Sequence, residues 1–248
     1  MPFSLELAVF VLGCFVAAFV VGISGFAFAP VASAIWLLAL PATKTPMLIT
    51  LYGLIVQGLA VWRQRAHIDL KRVWPFVLGS AIGIPFGIAL LHWLPASTLK
   101  LGIAVFFIAF ATFNLIRPRV PNLSWAGKPG DGLVGILNGI VGAAVGFAGI
   151  LVVIWSGMRD WTPAEQRAVF QPTAVATFLM CLVAFGGSGA LTRETLYLFA
   201  IGLPALLLGL AGGFAAFGRI DDARFRRIVL WLLLFSGVAI ITLSLIAK

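Results

Sequence analysis

The chain has 248 residues, of which 62% are hydrophobic and 10% are charged. Together with a mean hydropathy of +1.11, this composition excludes a soluble domain, because a membrane-spanning helix needs about 20 apolar residues and the chain holds roughly eight to ten such elements. The net charge of +9 indicates basic cytoplasmic loops rather than nucleic-acid binding, since the basic residues cluster between apolar runs. We therefore predict an all-α polytopic membrane protein.

The first element is a long apolar run, at about residues 5–25, that meets a glycine break and continues into a short run at about 28–41. The same arrangement returns in the second half, at about 131–147 and 149–158. The second run of each pair is too short to span a bilayer comfortably. We therefore predict two helical hairpins that dip into the membrane and return to the same side.

The two breaks also share sequence. Gly25-Phe26-Ala27 recurs as Gly146-Phe147-Ala148, and Ile35-Trp36 recurs as Ile154-Trp155. Paired breaks at corresponding positions are typical of a transporter's binding site, whereas the alternative is that the glycines only let helices pack closely. Both tryptophans are expected to pack against a neighbouring helix rather than to contact a ligand. Ala27-Phe28-Ala29 resembles a signal-peptide cleavage site, but the second copy of the break predicts that this segment is retained.

Three further apolar runs follow each hairpin, and a polar linker with three prolines separates the halves. The N-terminal repeat covers residues 1–117, with its hairpin at about 5–41 and spans at about 46–62, 73–93 and 99–116. The linker covers residues 118–130, and the C-terminal repeat covers residues 131–248, with its hairpin at about 131–158 and spans at about 165–186, 195–217 and 228–246. Gly83 and Gly87 recur as Gly209 and Gly213, and we assign all four to helix packing.

The basic residues predict how the repeats are oriented. If each break forms a hairpin, the loops at 63–72, 117–130, 158–167 and 218–227 lie on one side and hold 13 of the 17 Lys and Arg residues. If each broken run is instead one span, there are eight spans and the basic residues divide nine to eight. Cytoplasmic loops are enriched in Lys and Arg, so the first layout is favoured. It gives the two halves opposite orientations, which predicts inverted repeats.

No part of the sequence carries a catalytic, nucleotide-binding or metal-binding motif, so we expect no enzyme activity, no catalytic residue, no cofactor and no metal site. The eight acidic residues fall in loops or at the ends of spans. Sodium and proton coupling often use a carboxylate within the membrane, so this distribution favours a negatively charged cargo over cation symport.

We predict that the two hairpin tips bind this anion near the membrane midplane. The N-terminus of each second arm carries partial positive charge and N–H groups without an intrahelical acceptor, which together form an anion site. Uncharged polar side chains inside the spans are further candidates. The predicted substrate-binding residues are Ser24, Gly25, Phe26, Ala27, Thr50, Gln57, Asn138, Gly146, Phe147, Ala148 and Gln171. For each polar side chain the alternative is an interhelical hydrogen bond, and for Asn138 and Gln57 both interpretations stay open.

The glycine-rich tips at 21–30 and 141–149, with the helices that carry Gly83/Gly87 and Gly209/Gly213, resemble the sulfite exporter (TauE/SafE) family, also described as sulfonate uptake permeases. The resemblance covers nearly the whole chain. It implies a multi-pass secondary transporter of the bacterial inner (plasma) membrane that moves sulfite, sulfoacetate or other organosulfonates, with export as the expected direction. The implied partners are a small anionic substrate and the lipid bilayer, without nucleic acid, and the oligomeric state is left open. The alternatives are an anion channel on the same scaffold and a transporter of another small organic anion.

Overall fold

A computed structural model describes residues 5–25, 27–65, 68–116, 122–159, 161–189, 191–216 and 222–246. Within these ranges the chain forms ten α-helices, a 3-10 turn at Ser124–Ala126 and no strand. The helices are α1 (Leu5–Ser24), α2 (Phe28–Trp36), α3 (Thr45–Gln64), α4 (Leu70–Trp93), α5 (Ala96–Ile116), α6 (Gly127–Val145), α7 (Ile150–Ser156), α8 (Pro163–Gly187), α9 (Arg193–Ala216) and α10 (Asp222–Ile246). The predicted all-helical class is confirmed for this part of the chain.

Six of the described helices are long and apolar enough to cross a membrane, namely α1, α3, α4, α5, α8 and α9. The helices α2 and α7 have only 9 and 7 residues. At 1.5 Å per residue they are about 14 and 11 Å long, which is well short of the roughly 30 Å hydrocarbon core. Each of these short helices follows a long helix after a glycine break, which gives two helical hairpins, α1–α2 and α6–α7. Because six helices are able to cross a membrane, the chain is a multi-pass membrane protein.

The described helices divide into two compact units that do not coincide with the sequence halves. The first unit holds α1, α2, α5, α9 and α10, and the second holds α3, α4, α6, α7 and α8. In each unit the long arm of a hairpin packs along a helix from the other half of the sequence, α1 along α9 and α6 along α4. A packing unit is a group of helices in contact, whereas a sequence repeat is a continuous stretch of the chain. The boundaries of the two repeats and their opposite orientations in the membrane therefore stay predictions.

Glycine allows these two helix pairs to approach closely. A Cβ atom on Gly83 of α4 would meet the backbone carbonyl of Ile136 on α6, and one on Gly139 of α6 would meet the carbonyl of Ser80. The same holds in the first unit, where Gly209 and Gly213 of α9 face the carbonyls of residues 15 and 19 on α1. Larger side chains here would push the helices apart. These contacts are the small-residue packing expected for the repeated glycines.

The start of α8 is defined by a capping box that the sequence analysis did not predict. Thr162 is the N-cap residue, Pro163 is the first helical residue, and Glu165 completes a capping box. The hydroxyl of Thr162 accepts from the N–H of Glu165 at 3.3 Å, and the Glu165 carboxylate accepts from the N–H of Thr162 at 2.8 Å. Two N–H groups at the helix start are thereby satisfied, so α8 begins at a defined residue.

Candidate functional site

The tip of the second hairpin is a tight turn between two glycines in the left-handed conformation. Gly146 (φ 83°) ends α6, and its N–H donates to the carbonyl of Gly142 at 2.9 Å. Gly149 (φ 89°) precedes α7. Glycine adopts this conformation without steric cost, which explains why the helix breaks here. Phe147 and Ala148 lie between the two glycines and are buried.

This tip lies between α3 and α8. A Cβ atom added to Gly146 would come within 2.9 Å of the Ile49 side chain on α3, and one added to Gly149 would come within 3.0 Å of Ala174 on α8. The glycines therefore serve two purposes, since they permit the turn and also let the tip approach both helices. The prediction that the break falls at Gly146 agrees with this geometry.

The tip of the first hairpin has a related backbone. Gly25 has φ 72° and Ala27 has φ 73°, and Ala27 forms the N-cap position of α2 without a side-chain cap. A left-handed alanine is uncommon, and such strained residues are found preferentially at functional sites. Phe26 lies outside the described residues, and only the backbone of Ser24 is described, so the roles predicted for these two side chains stay predictions.

The Asn138 side chain holds the second tip in place. It is fully buried on α6, and its Oδ1 accepts from the N–H of Gly149 at 2.7 Å. Its Nδ2 donates to the hydroxyls of Ser80 on α4 at 3.2 Å and of Thr177 on α8 at 3.3 Å. One amide group thus connects the tip to three helices. These bonds favour the interhelical interpretation of Asn138, which was one of the two that the sequence left open.

The hydroxyls that receive the Asn138 amide are themselves satisfied. Ser80 donates to the carbonyl of Gly135 at 3.1 Å, and Thr177 donates to the carbonyl of Thr173 at 2.8 Å. Because each hydroxyl already donates to a carbonyl, it is free to accept from the amide, and the orientation of the Asn138 amide is fixed by the network. The N–H of Gly149 donates to Asn138 and so does not donate to a bound anion, although the predicted anion site at the start of α7 includes it.

Three other predicted side chains have buried polar atoms without a hydrogen-bond partner among the described residues. They are Thr50 Oγ1, Gln57 Oε1 and Gln171 Oε1. Thr50 is 0% exposed and Gln171 is 3% exposed. A buried polar group without a partner costs about 1–3 kcal/mol. All three lie in the second unit, and a ligand or water that donates to them would remove this cost.

Helical geometry places these three side chains on facing sides of α3 and α8. A Cβ atom on Gly53 would lie 2.6 Å from the Phe178 ring, so this side of α3 meets α8. At 100° per residue, Thr50 and Gln57 lie about 60° and 40° from Gly53 around α3, and Gln171 lies about 20° from Phe178 around α8. We call this surface, defined by Thr50, Gln57 and Gln171, the α3–α8 interface. It adjoins the second tip, because the tip also contacts α3 and α8.

The first unit contains one candidate that sequence reasoning missed. Ser33 lies on α2 and is 0% exposed, and its Oγ has no hydrogen-bond partner within the described part of the chain. A hydroxyl inside an apolar arm as short as α2 is the sequence signal that could have indicated Ser33.

Trp36 on the same helix packs against Phe10 with ring centroids 5.2 Å apart, and its Nε1 donates to the Phe10 carbonyl at 3.1 Å. This supports the packing interpretation of Trp36.

The base of the second hairpin is closed by a buried ion pair. Arg159 Nη1 lies 2.6 Å from Asp131 Oδ1, and the two side chains are 12% and 6% exposed. Trp155 Nε1 donates to the same carboxylate oxygen at 2.8 Å. Because Asp131 lies on α6, while Trp155 lies in the last turn of α7 and Arg159 follows this helix, the two arms of the hairpin are joined at their base. The sequence placed Asp131 at a helix start but did not indicate its partners.

The described residues contain no group of three or more His, Cys, Asp or Glu side chains that could hold a metal ion. Helices broken at glycine, second arms as short as α2 and α7, and unpaired buried polar atoms are features of a polytopic membrane transporter. The chain belongs to the sulfite exporter TauE/SafE family, which it matches over residues 9–240. The family resemblance noted from the glycine patterns is therefore confirmed, and the protein is a transporter of the sulfite and sulfonate exporter type. Comparisons with curated proteins and with solved structures found no match.

Proposed function

We propose that the protein is a secondary transporter that exports small sulfur-containing anions, such as sulfite, sulfoacetate or other organosulfonates, across a bacterial inner membrane. The family supports the class of transporter and cargo. The observation that carries the position of the site is the α3–α8 interface, where the unpartnered polar atoms of Thr50 and Gln171 belong to residues that directly follow Ile49 and Phe170, which the glycine-broken tip approaches. A site built for a permanent structural role would have these atoms paired.

In this proposal the anion is held partly by backbone and partly by side chains. Glycines at a tip let the backbone approach a ligand closely, and the first turn of a helix offers N–H groups that have no intrahelical acceptor. The contribution of α7 is limited, because it has only 7 residues and Asn138 already uses the N–H of Gly149. The side chains of Gln57 and Gln171 therefore carry a larger share, since each amide has both a carbonyl oxygen and two N–H donors.

Counterflow in liposomes tests this function. Vesicles containing the purified protein and unlabelled sulfite would be diluted into labelled sulfite, with sulfoacetate, sulfate, thiosulfate and carboxylates as competitors. We expect saturable accumulation of label that sulfonates inhibit and carboxylates do not. The variant Gly58→Ala is a matched control, because the Cβ atom at this position of α3 would contact nothing within 4 Å.

The outcomes separate the alternatives. Flux without saturation, together with single-channel currents, would assign the protein to the anion channels. Inhibition by carboxylates alone would assign it to transport of another small organic anion. The expected result is instead carrier behaviour with sulfur oxyanions as the preferred cargo.

A further inference from the structure

One face of α4 is apolar along its whole length and remains exposed among the described helices. Its exposed side chains recur every three or four residues, so they form a single stripe along the helix. They are Trp74, Leu78, Ile82, Phe86, Leu90 and Trp93. At 1.5 Å per residue the two tryptophans lie about 28 Å apart, close to the roughly 30 Å thickness of the hydrocarbon core. We call this surface the α4 stripe, and it is long enough to face lipid from one headgroup region to the other.

Positive charge lies at only one end of the α4 stripe. Lys71 is exposed and precedes Trp74 by three residues, so the two side chains are neighbours on α4. Lys128 at the start of α6 lies beside the same tryptophan, with its Nζ 5.5 Å from the ring centroid. No Lys or Arg follows Arg72 within α4 or Lys128 within α6. Two lysines thus flank the tryptophan at the end of α4 that is predicted to be cytoplasmic.

The carboxylates near this end are already paired with another residue. Asp69 forms a salt bridge with Arg72 at 3.3 Å and accepts from the backbone N–H of Lys71 at 2.9 Å. Glu165 also forms a salt bridge with Arg72, at 2.8 Å. Among the described residues, no salt bridge includes the side chain of Lys71 or Lys128. The end of the α4 stripe therefore offers two positive charges to an anionic partner.

The geometry points to an anionic phospholipid as this partner. Its phosphate lies between Lys71 and Lys128 at the level of Trp74, and its acyl chains cover the α4 stripe. A free phosphate ion would use only the lysines and leave the apolar side chains uncovered. A second copy of the chain is disfavoured, because a twofold axis along the membrane normal brings residues of equal depth together, and the lysines of the two copies would then repel each other. The inference goes beyond the proposed function and does not depend on the cargo.

Two phospholipids with identical acyl chains test this site. Dioleoylphosphatidylglycerol has an anionic headgroup, and dioleoylphosphatidylcholine has a zwitterionic one. Binding of each to the purified full-length protein in detergent would be measured by native mass spectrometry and by the shift in melting temperature. We expect the phosphatidylglycerol to bind about 25-fold more tightly, because each lysine near an anionic headgroup contributes roughly fivefold. Inorganic phosphate in excess should not displace it, since this ion has no acyl chains to cover the α4 stripe.

Variants at the two lysines locate the site. Lys128→Gln should lower the preference for phosphatidylglycerol about fivefold, and the double variant with Lys71→Gln should abolish it. Both lysines are exposed, so these changes leave the packing of α4 against α6 intact. Arg227→Gln is the matched control, because it removes an equal charge from an exposed position on α10, outside the α4 stripe. We expect this control to keep the preference of the wild type.

Four results would overturn the inference. Equal binding of the two phospholipids would exclude recognition of an anionic headgroup. An equal loss of preference in Lys128→Gln and Arg227→Gln would mean that net charge, rather than a site, attracts the lipid. Displacement by inorganic phosphate would identify a phosphate site that needs no lipid. A dimer in the native mass spectra that Phe86→Ser dissociates would assign the α4 stripe to a second copy of the chain.

Discussion

The side-chain oxygen of Asn138 lies 2.7 Å from the backbone nitrogen of Gly149, across the tip of the second hairpin. This bond joins the middle of α6 to the residue from which α7 starts. Because the same amide also contacts α4 and α8, the position of the tip is fixed by a side chain that is fully buried and fully hydrogen-bonded.

Replacing Asn138 with Leu should lower the melting temperature and abolish transport. The change leaves the N–H of Gly149 buried without an acceptor, at a cost of about 1–3 kcal/mol, and releases the tip. Thr177→Val is the control, since it removes only one acceptor of the Asn138 amide and keeps the bond to Gly149, so we expect it to lower stability modestly and keep transport. Melting curves and counterflow KM would be measured together. A wild-type KM in Asn138→Leu would show that the tip does not depend on this bond.

The glycine at the first tip should be essential for transport and dispensable for insertion. Gly25 has φ 72°, and a Cβ atom there would contact nothing within 4 Å, so Gly25→Val tests the backbone conformation without a clash. A β-branched residue disfavours this conformation strongly. Gly83→Val should instead prevent folding, because the side chain would meet the backbone of α6. Expression, monodispersity and transport distinguish the two cases, and normal transport by Gly25→Val would assign the first hairpin to scaffolding.

The ion pair at the base of the second hairpin should show strong coupling between its partners. Removing only one partner of a buried pair leaves an uncompensated charge and costs about 3–5 kcal/mol. We therefore expect Asp131→Leu or Arg159→Leu alone to destabilise the protein more than the double variant does. A double-mutant cycle on the melting data measures the coupling. Additive effects would mean that the pair contributes little to holding the two arms together.

The distribution of basic residues predicts that both termini face the periplasm. The loops at 63–72 and 219–227 should then face the cytoplasm. Reporter fusions at each end, and labelling of single cysteines placed in these loops after Cys14 and Cys181 have been replaced, check the topology. A cytoplasmic C-terminus would contradict the inverted repeats, since the 13-to-4 division of Lys and Arg depends on that layout.

Transport should be electrogenic and should need no cation gradient. One elementary charge that crosses 100 mV gains about 2.3 kcal/mol, a bias of roughly fiftyfold, so the potential alone can drive an anion out of a cell that is negative inside. In liposomes with an imposed potassium diffusion potential, efflux should accelerate when the side holding the cargo is made negative. A proton or sodium gradient at zero potential should have no effect. Strict dependence on either gradient would require a coupling ion held by neutral groups.

The sequence predicted the features that depend on local chemistry. The breaks at Gly25 and Gly146 were found because a left-handed backbone selects glycine, and the short second arms followed from counting apolar residues. The pairs α1–α9 and α4–α6 were not found, because a glycine on one helix does not identify the helix that contacts it. The hydrogen bonds that satisfy the Asn138 side chain were not predicted for the same reason, since its three partners lie 11, 39 and 58 residues away in the sequence.

The close contact of α1 with α9 bears on how the protein is made. The surface of α1 at Phe15 and Phe19 receives Gly209 and Gly213, which the ribosome adds roughly 190 residues later, at a rate of about 5–20 residues per second. During that interval of about ten seconds or longer, the first hairpin is in the bilayer without its partner. A chain that is interrupted before α9 therefore exposes the surface of α1 that α9 would cover, and quality-control proteases would be expected to remove it.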